Sequence, residues 1–308
     1  MSKPHPWLRN FAVRGVFWRR NLDWAMRNLP FYMTPVLIWF WTVFFFFFAA
    51  PARRALVANL AVVLPGSGLL ANYVRAWWVM CNYAWTIAEG SHFKQHKSHF
   101  AYKLEGAEFL DRLGAARGAI VLTAHMGSYD FGAALFAEKF QREIRMVRMP
   151  ESDQSTAQHL DQSLAQTGAG AVRVDYNTPG NQLSFDLLNA LRSGEIVSIQ
   201  GDRVVGDLAT ANTKLFGRDA ALPIGPFILA QVARCEIFPL FIARTGYRRY
   251  RIITGEPFTC PRNDRPREED IAEALQNWSV VLESIIRRHW DQWFAFLPIF
   301  ICHAPIRP

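Results

Sequence analysis

Short apolar strand patterns alternate with helical patterns from Tyr102 onward, and this alternation limits the possible folds more than any other feature of the chain. Apolar, β-branched runs of strand length predict extended segments, and apolar residues spaced at 3.6 positions predict amphipathic helices between them. Such alternation is typical of an α/β domain. We therefore predict a mixed sheet flanked by helices. The predicted strands are 103–105, 119–123, 145–149, 172–174, 196–200, 237–243 and 251–254, and the predicted helices are 131–140, 155–167, 183–192, 226–234 and 268–290.

The N-terminal third has a different character. Phe31 to Ala50 carries no charge and is crowded with phenylalanine and tryptophan, which indicates a membrane-associating helical segment. Pro35 suits a first helical position and Pro51 interrupts the pattern, so the continuous helix measures about 24 Å, against roughly 30 Å of bilayer hydrocarbon. We predict attachment to one leaflet, with a single span as the alternative. The expected organisation is an N-terminal membrane-associated region, 1–100, followed by a catalytic domain, 101–308.

A histidine and an acid follow the predicted strand 119–123, in the run Leu122-Thr-Ala-His-Met-Gly-Ser-Tyr-Asp130. His125 there can act as a general base, and Asp130, in the first turn of the next helix, can hold the imidazole in one tautomer. A carboxylate five positions after some histidine is expected by chance roughly half the time, so the pair needs its context. The motif lacks the Gly-x-Ser-x-Gly elbow, so Ser128 is not predicted to be a nucleophile.

Other candidate site residues follow neighbouring predicted strands. Gly201-Asp202-Arg203 comes directly after 196–200, and it should open on the same sheet edge as His125 if the two strands are parallel neighbours. We expect Arg203 to bind a phosphate or the oxyanion of the reaction, although Asp202 and Arg203 could instead pair within a structural turn. Arg148 ends another predicted strand and is equally suited to a headgroup contact or a structural ion pair.

Composition narrows the partners without choosing one. The net charge of +8 suits an anionic surface, either acidic lipid headgroups or nucleic acid, and 51% apolar residues fit membrane contact better than free solution. The four cysteines are scattered and predict neither a zinc site nor a disulfide framework. His92, His96 and His99 could share one helical face, but two lysines inside this cluster favour a solvated or headgroup-facing surface over a metal site.

The His-x-x-x-x-Asp pair and its surroundings resemble the late lipid A acyltransferases, a bacterial branch of the glycerolipid and lysophospholipid acyltransferase superfamily. The resemblance spans nearly the whole chain and implies a bacterial membrane-associated enzyme. Basic residues precede and follow the apolar segment 31–50, and together with the need for thioester donors they favour attachment to the cytoplasmic face of the inner membrane over a crossing. The resemblance also implies acyl transfer from a thioester of acyl carrier protein or coenzyme A to a lipid acceptor, with no metal or redox cofactor. The supporting motifs are Arg53-Arg-Ala-Leu-Val-Ala-Asn59, Leu104-Glu-Gly106-Ala-Glu108, Ser193-Gly-Glu195, Gly201-Asp-Arg-Val-Val-Gly206, Phe216-Gly-Arg-Asp-Ala-Ala and Asp291-Gln-Trp293-Phe.

The resemblance implies that His125 is the general base and Asp130 its partner, and we add Arg203 as the third catalytic residue. We expect Arg148, Gly127, Ser128 and Asp202 to contact the substrate. This chain has Ser128-Tyr129-Asp130 where most late acyltransferases carry Asn-Trp-Glu, and Gly201-Asp202-Arg203 where they carry Pro-Asp-Gln. The resemblance therefore supports acyl transfer by this chain more strongly than it supports a lipid A precursor as the acceptor.

Two other functional classes remain open at this stage. A hydrolase could use His125 to activate water, and it would release free fatty acid without an acceptor. A non-catalytic binder of membranes or nucleic acid would depend on the basic charge alone, and its binding would weaken steeply with salt. The arginines are dispersed along the chain, which places nucleic-acid binding last.

Overall fold

The computed structural model describes residues 16–93, 100–128, 132, 136, 139–149, 172–178 and 182–301. The predicted helix 155–167 lies outside these residues, as does most of the predicted helix 131–140, together with His96 and His99. The helices are α1 Val16–Asn28, α2 Thr34–Phe48, α3 Ala50–Val63, α4 Leu69–Phe93, α5 Ala107–Ala115, α6 Leu183–Arg192, α7 Gly225–Ala233 and α8 Arg267–Arg288. The strands are β1 Ala101–Glu105, β2 Ala119–Thr123, β3 Ile144–Arg148, β4 Val172–Tyr176, β5 Ile196–Gln200, β6 Thr210–Leu215, β7 Arg218–Pro223, β8 Glu236–Gly246 and β9 Arg249–Thr254.

Seven of the strands form one mixed sheet in the order β1-β9-β8-β2-β5-β3-β4, and β6 and β7 form a separate antiparallel hairpin. Neighbouring strands of the large sheet run parallel except β8 and β9, which are antiparallel. The carboxyl ends of β8, β2, β5, β3 and β4 therefore meet at one edge. The predicted α/β fold, with a mixed sheet flanked by helices, is confirmed.

Both faces of the sheet are covered, because every residue of β2 is buried. Ile120 and Leu122 pack on one face with residues of α7 and α8, including Phe227 and Trp278. Ala119 and Val121 point to the opposite face, into a cluster that includes Leu113 of α5. Alternate side chains of a strand point to opposite faces, so a strand buried on both sides reads as a continuous apolar run.

The N-terminal helices bend sharply where the sequence pattern is interrupted. Helix α2 ends at Phe48, and α3 begins at Ala50 with Pro51 in its first turn. The Arg53 side chain donates hydrogen bonds to the carbonyls of Phe46 and Phe47, which satisfies backbone groups that a helix end leaves unpaired. Among the described helices none is long and apolar enough to cross a bilayer alone, and only α2 and α3 together, bent by 91°, meet the length requirement.

The C-terminal segment, residues 289–301, runs from the end of α8 back to the N-terminal helices. The buried Asn59 side chain of α3 donates to the carbonyls of Ala295, at 3.0 Å, and Leu297, at 2.8 Å. Its carbonyl oxygen accepts from the Ile299 amide at 3.2 Å. Residues on both sides of the predicted boundary at residue 100 are therefore hydrogen-bonded, while the division into two domains stays a prediction.

Candidate active site

His125 lies just beyond the end of β2, in a tight turn that the C-terminal segment holds in place. The Phe294 amide donates to the His125 carbonyl at 2.8 Å, and Met126 forms an antiparallel bridge with Trp293. Gly127 has a φ of +51°, and a Cβ there would lie 1.7 Å from the carbonyl oxygen of Ile242. Only glycine fits this position. The turn therefore requires Gly127 in the sequence as well as the contacts with the C-terminal segment.

The neighbouring strand β5 brings the second group of predicted residues to the same edge. Strands β2 and β5 are parallel, with Thr123 opposite Gln200, and the Gly201 amide continues the ladder to the Thr123 carbonyl at 2.9 Å. The expectation that Gly201-Asp202-Arg203 and His125 share one sheet edge is confirmed. Trp278 of α8 donates to the Gly201 carbonyl at 2.8 Å and fixes this turn from below.

The two turns meet in a hydrogen bond between His125 and Asp202. His125 Nδ1 lies 2.7 Å from Asp202 Oδ1, and Trp293 Nε1 donates to Asp202 Oδ2 at 3.0 Å. Burial opposes the charge of Asp202, but attraction to His125 and Arg203, together with both hydrogen bonds, lowers the pKa of Asp202 to about 2. The acid is therefore ionised near neutral pH, and an ionised carboxylate can only accept, so the bond requires a proton on Nδ1.

This geometry differs from the expected role of Asp202. We predicted a substrate contact, whereas the carboxylate is fully buried and both of its oxygens have protein partners. Asp202 is hydrogen-bonded to His125 because the parallel strands place the two turns side by side, and the charge of Arg203 within its own turn attracts the carboxylate as well. Asp130 lies outside the described residues, so its pairing with His125 stays a prediction.

Arg203 is half-buried beside this pair. Its Nη1 donates to the Phe294 carbonyl at 3.1 Å, and among the described residues its buried Nε has no hydrogen-bond partner. The side chain therefore keeps donor capacity next to the histidine turn. Its positive charge also contributes to the low pKa of Asp202.

The remaining predicted residues are placed as follows. Ser128 is buried, and Gly127 is buried with its amide directed to the Gln292 carbonyl at 3.3 Å, so this amide already has an acceptor. Their expected contact with the substrate stays a prediction. Arg148 ends β3, which is parallel to β5, so it lies on the same edge of the sheet and is half-buried there.

An apolar cavity of about 20 Å³ lies against the sheet near this edge, between Thr123, Ser198 and Leu240. That volume holds about one water molecule. It is too small for a fatty acyl chain, so an acyl group must use a different or wider space.

Sequence reasoning missed the partners that hold the pair. Trp293 and Phe294 were noticed only as part of a motif, Asp291-Gln-Trp293-Phe, without a role. Trp278 lies in the buried apolar stripe of α8, and its indole also reaches the Gly201 carbonyl. The Asp291-Gln-Trp293-Phe motif was the available signal for Trp293.

A partly exposed histidine, bonded to a buried acid at the carboxyl edge of a mixed α/β sheet, provides the groups that general-base chemistry in an enzyme requires. Comparison with known families identifies the enzyme further. The chain belongs to the bacterial lipid A biosynthesis acyltransferase family, whose model matches residues 13–301. A search of curated proteins found no match. Membership makes the protein an acyl-transferring enzyme with an acyl donor and a lipid acceptor.

Proposed function

We propose that the protein transfers a fatty acyl group from a thioester, of acyl carrier protein or coenzyme A, to a hydroxyl or amine of a membrane lipid. The observation that carries this proposal is the 2.7 Å bond between His125 and Asp202 at the edge of the sheet. The bond occupies Nδ1, so Nε2 is the nitrogen that can take a proton from the acceptor. The His125 side chain is 18% exposed, so it is partly accessible to solvent.

The reaction needs one proton to be taken and returned. Nε2 of His125 accepts the proton of the acceptor hydroxyl as its oxygen attacks the thioester carbonyl carbon. The resulting tetrahedral intermediate breaks its C–S bond, and the departing sulfur receives the proton from the imidazolium. Asp202 remains ionised throughout and stabilises the imidazolium, so the acyl group passes directly to the acceptor without an acyl-enzyme.

Two arginines supply positive charge in this proposal. Arg203 stabilises the negative oxygen of the tetrahedral intermediate, and the support for this role is its donor capacity beside the histidine turn. Arg148 binds an anionic headgroup or a phosphate of the donor at the same sheet edge. Asp130, predicted from spacing to be the partner of His125, is retained as a second acid of the site. Replacing Asp130 and Asp202 separately by asparagine would rank the two.

We further propose that the enzyme is attached to the cytoplasmic face of the bacterial inner membrane. The support is a concentration of exposed large apolar side chains on the N-terminal helices, which water would solvate poorly. Attachment at this face gives the site access to soluble thioester donors and to membrane acceptors together. The exposed side chains include Val36, Trp39, Phe40, Phe47 and Phe48 of α2 and Leu69, Leu70, Val74 and Trp78 of α4.

The test is product analysis with the wild type and His125→Ala, in vesicles that contain candidate lipid acceptors and an acyl thioester. The wild type should form acylated lipid, and the variant should lose at least about 1000-fold in kcat while folding and binding vesicles normally. Full activity in the variant would refute the assignment. Release of free fatty acid without acceptor, with no acylated lipid when acceptor is present, would identify a hydrolase instead.

A further inference from the structure

The buried carboxylate of Asp202 has two oxygens, and only one of them faces His125. The other accepts a hydrogen bond from the indole Nε1 of Trp293 at 3.0 Å. We propose that Trp293 is a positioning residue, which acts on the reaction by fixing the Asp202 carboxylate so that Oδ1 stays directed at His125 Nδ1. The inference rests on the proposed role of His125 as the base.

A carboxylate with one partner can rotate about its last side-chain bond, since that torsion has no sharp minima. A second donor on the opposite oxygen removes this freedom. Trp293 can serve as that donor because its own position is fixed: the side chain is almost fully buried, and its backbone bridges to Met126.

The same segment also holds the histidine. Phe294, the next residue, donates from its amide to the His125 carbonyl at 2.8 Å. Two consecutive residues therefore set both members of the pair, one through the backbone of His125 and the other through the side chain of Asp202. The separation of the acid and the imidazole depends on this short segment as much as on the sheet.

The indole N–H also favours the charged form of the acid, because a hydrogen bond to an anionic carboxylate stabilises it against the neutral form. Without this donor the pKa of Asp202 would rise, but the attraction of His125 and Arg203, which contributes more, would remain. A carboxylate that is free to rotate would hold the imidazole less firmly in the tautomer with the proton on Nδ1, and Nε2 would then be the base in a smaller fraction of molecules.

The chain offers a matched control in Trp278. This tryptophan is also fully buried, and its Nε1 donates at 2.8 Å to the carbonyl of Gly201, the residue before Asp202. Trp293→Phe and Trp278→Phe each remove one indole donor and a similar volume from the core beneath the same turn. Only the first removes a hydrogen bond to the carboxylate.

The experiment measures kcat and KM for these variants, each alone and combined with Asp202→Asn, in the full-length protein with the vesicle assay. Trp293→Phe should lower kcat about tenfold with KM unchanged, and should have no further effect once Asp202 is asparagine. Trp278→Phe removes a contact to the backbone of the same turn, so the loss of kcat that it causes should be equal in both backgrounds, because its indole donates to the Gly201 carbonyl and not to the carboxylate. A wild-type kcat for Trp293→Phe, or an equal loss in the Asp202→Asn background, would overturn the proposal.

Two further measurements keep the test decisive. Thermal melting shows whether Trp293→Phe is folded. If it is not, β-(3-benzothienyl)alanine at position 293 takes its place, because this residue keeps the bicyclic ring and removes only the N–H donor. The expected and the contradicting results for kcat and KM are then the same. The proton NMR signal of His125 Nδ1–H should shift with Trp293→Phe and not with Trp278→Phe. An active His125→Ala enzyme would refute the proposed base itself, whereas an inactive one with a fully active Trp293→Phe refutes only the positioning role.

Discussion

A carboxylate buried as deeply as that of Asp202 stays ionised only because donors surround both of its oxygens. Loss of these donors on unfolding returns the acid to an ordinary pKa near 3.9. The folded-state pKa of about 2 is lower, so ionised Asp202 stabilises the fold at pH values above the unfolded pKa. That contribution is lost as the pH falls through the folded value, because both states then bind the proton.

We therefore expect Asp202→Asn to lower the free energy of unfolding by about 2 kcal/mol at pH 7, with the deficit shrinking as the pH falls from about 5 toward 2. Urea unfolding across this range measures it. Asp264→Asn, a change at an exposed acid in the loop before α8, is the control and should match the wild type throughout. A deficit that is constant with pH would show that the ionisation of Asp202 does not stabilise the fold.

The sequence predicts which residues lie at the edge of the sheet, but not which of them bond to each other. His125 and the Gly201-Asp202-Arg203 turn were found because each follows a predicted strand, and parallel strands bring such turns to one edge. The contact between His125 and Asp202 joins positions 77 apart, which spacing along a helix does not detect, whereas the predicted pair of His125 with Asp130 is local. Partner choice in the site depends on strand order, which the sequence pattern does not contain.

Among the elements, α3 and the C-terminal segment form the least predictable contact of the fold. Three hydrogen bonds of the Asn59 side chain hold residues 295, 297 and 299, and the same segment carries Trp293 and Phe294 to the candidate site. Asn59 lies within the Arg53-Arg-Ala-Leu-Val-Ala-Asn59 motif noted in the sequence. The asparagine of that motif therefore has a structural role, which is to bind the backbone of the C-terminal segment.

We expect Asn59→Ala to lower the free energy of unfolding by about 2–4 kcal/mol, because it leaves a buried carbonyl, a half-buried carbonyl and a buried amide without their partner. It should also reduce kcat, since the segment that holds the histidine turn loosens. Asn72→Ala is the matched control: this asparagine is equally buried, and among the described residues its side chain accepts hydrogen bonds from Ser67 and Arg75, both nearby in sequence. Denaturant unfolding and the acyl-transfer assay should separate them, and equal kcat values in the two variants would contradict the link.

Helices whose apolar residues repeat at a regular helical spacing were predicted well. Helix α8 begins and ends within two residues of its expected bounds, because Ile271, Leu275, Trp278, Leu282 and Ile285 form one buried stripe. The β6–β7 hairpin was missed. Its first strand, Thr-Ala-Asn-Thr-Lys-Leu, has no apolar alternation. Its two-residue turn is Phe216-Gly217, and both residues have a positive φ. The usual sequence signal for such a turn is an Asn-Gly pair. Contacts with α8, such as Thr213 to Gln276, stabilise it instead.

At the scale of the whole molecule, exposed apolar side chains are unevenly distributed. The N-terminal helices carry most of the large ones, while the α/β part exposes only scattered examples such as Phe185 and Val280. Scattered exposed apolar residues are ordinary on a protein surface, but a contiguous group indicates a partner. Together with the net charge of +8, this distribution favours a surface of anionic phospholipid.

A matched pair of double variants tests whether position, and not apolar character alone, governs membrane binding. Phe47→Gln with Phe48→Gln alters two side chains that are each 66% exposed at the end of α2, and Phe185→Gln with Val280→Gln alters two that are 67% and 61% exposed in the α/β part. If α2 enters the lipid, the first pair loses two buried aromatic rings at about 1.5–3 kcal/mol each, so its affinity for vesicles of anionic phospholipid should fall at least about 100-fold. The second pair should bind as the wild type does. Sedimentation with vesicles measures both, and equal affinities would show that α2 does not enter the bilayer, leaving the basic charge as the source of any attachment.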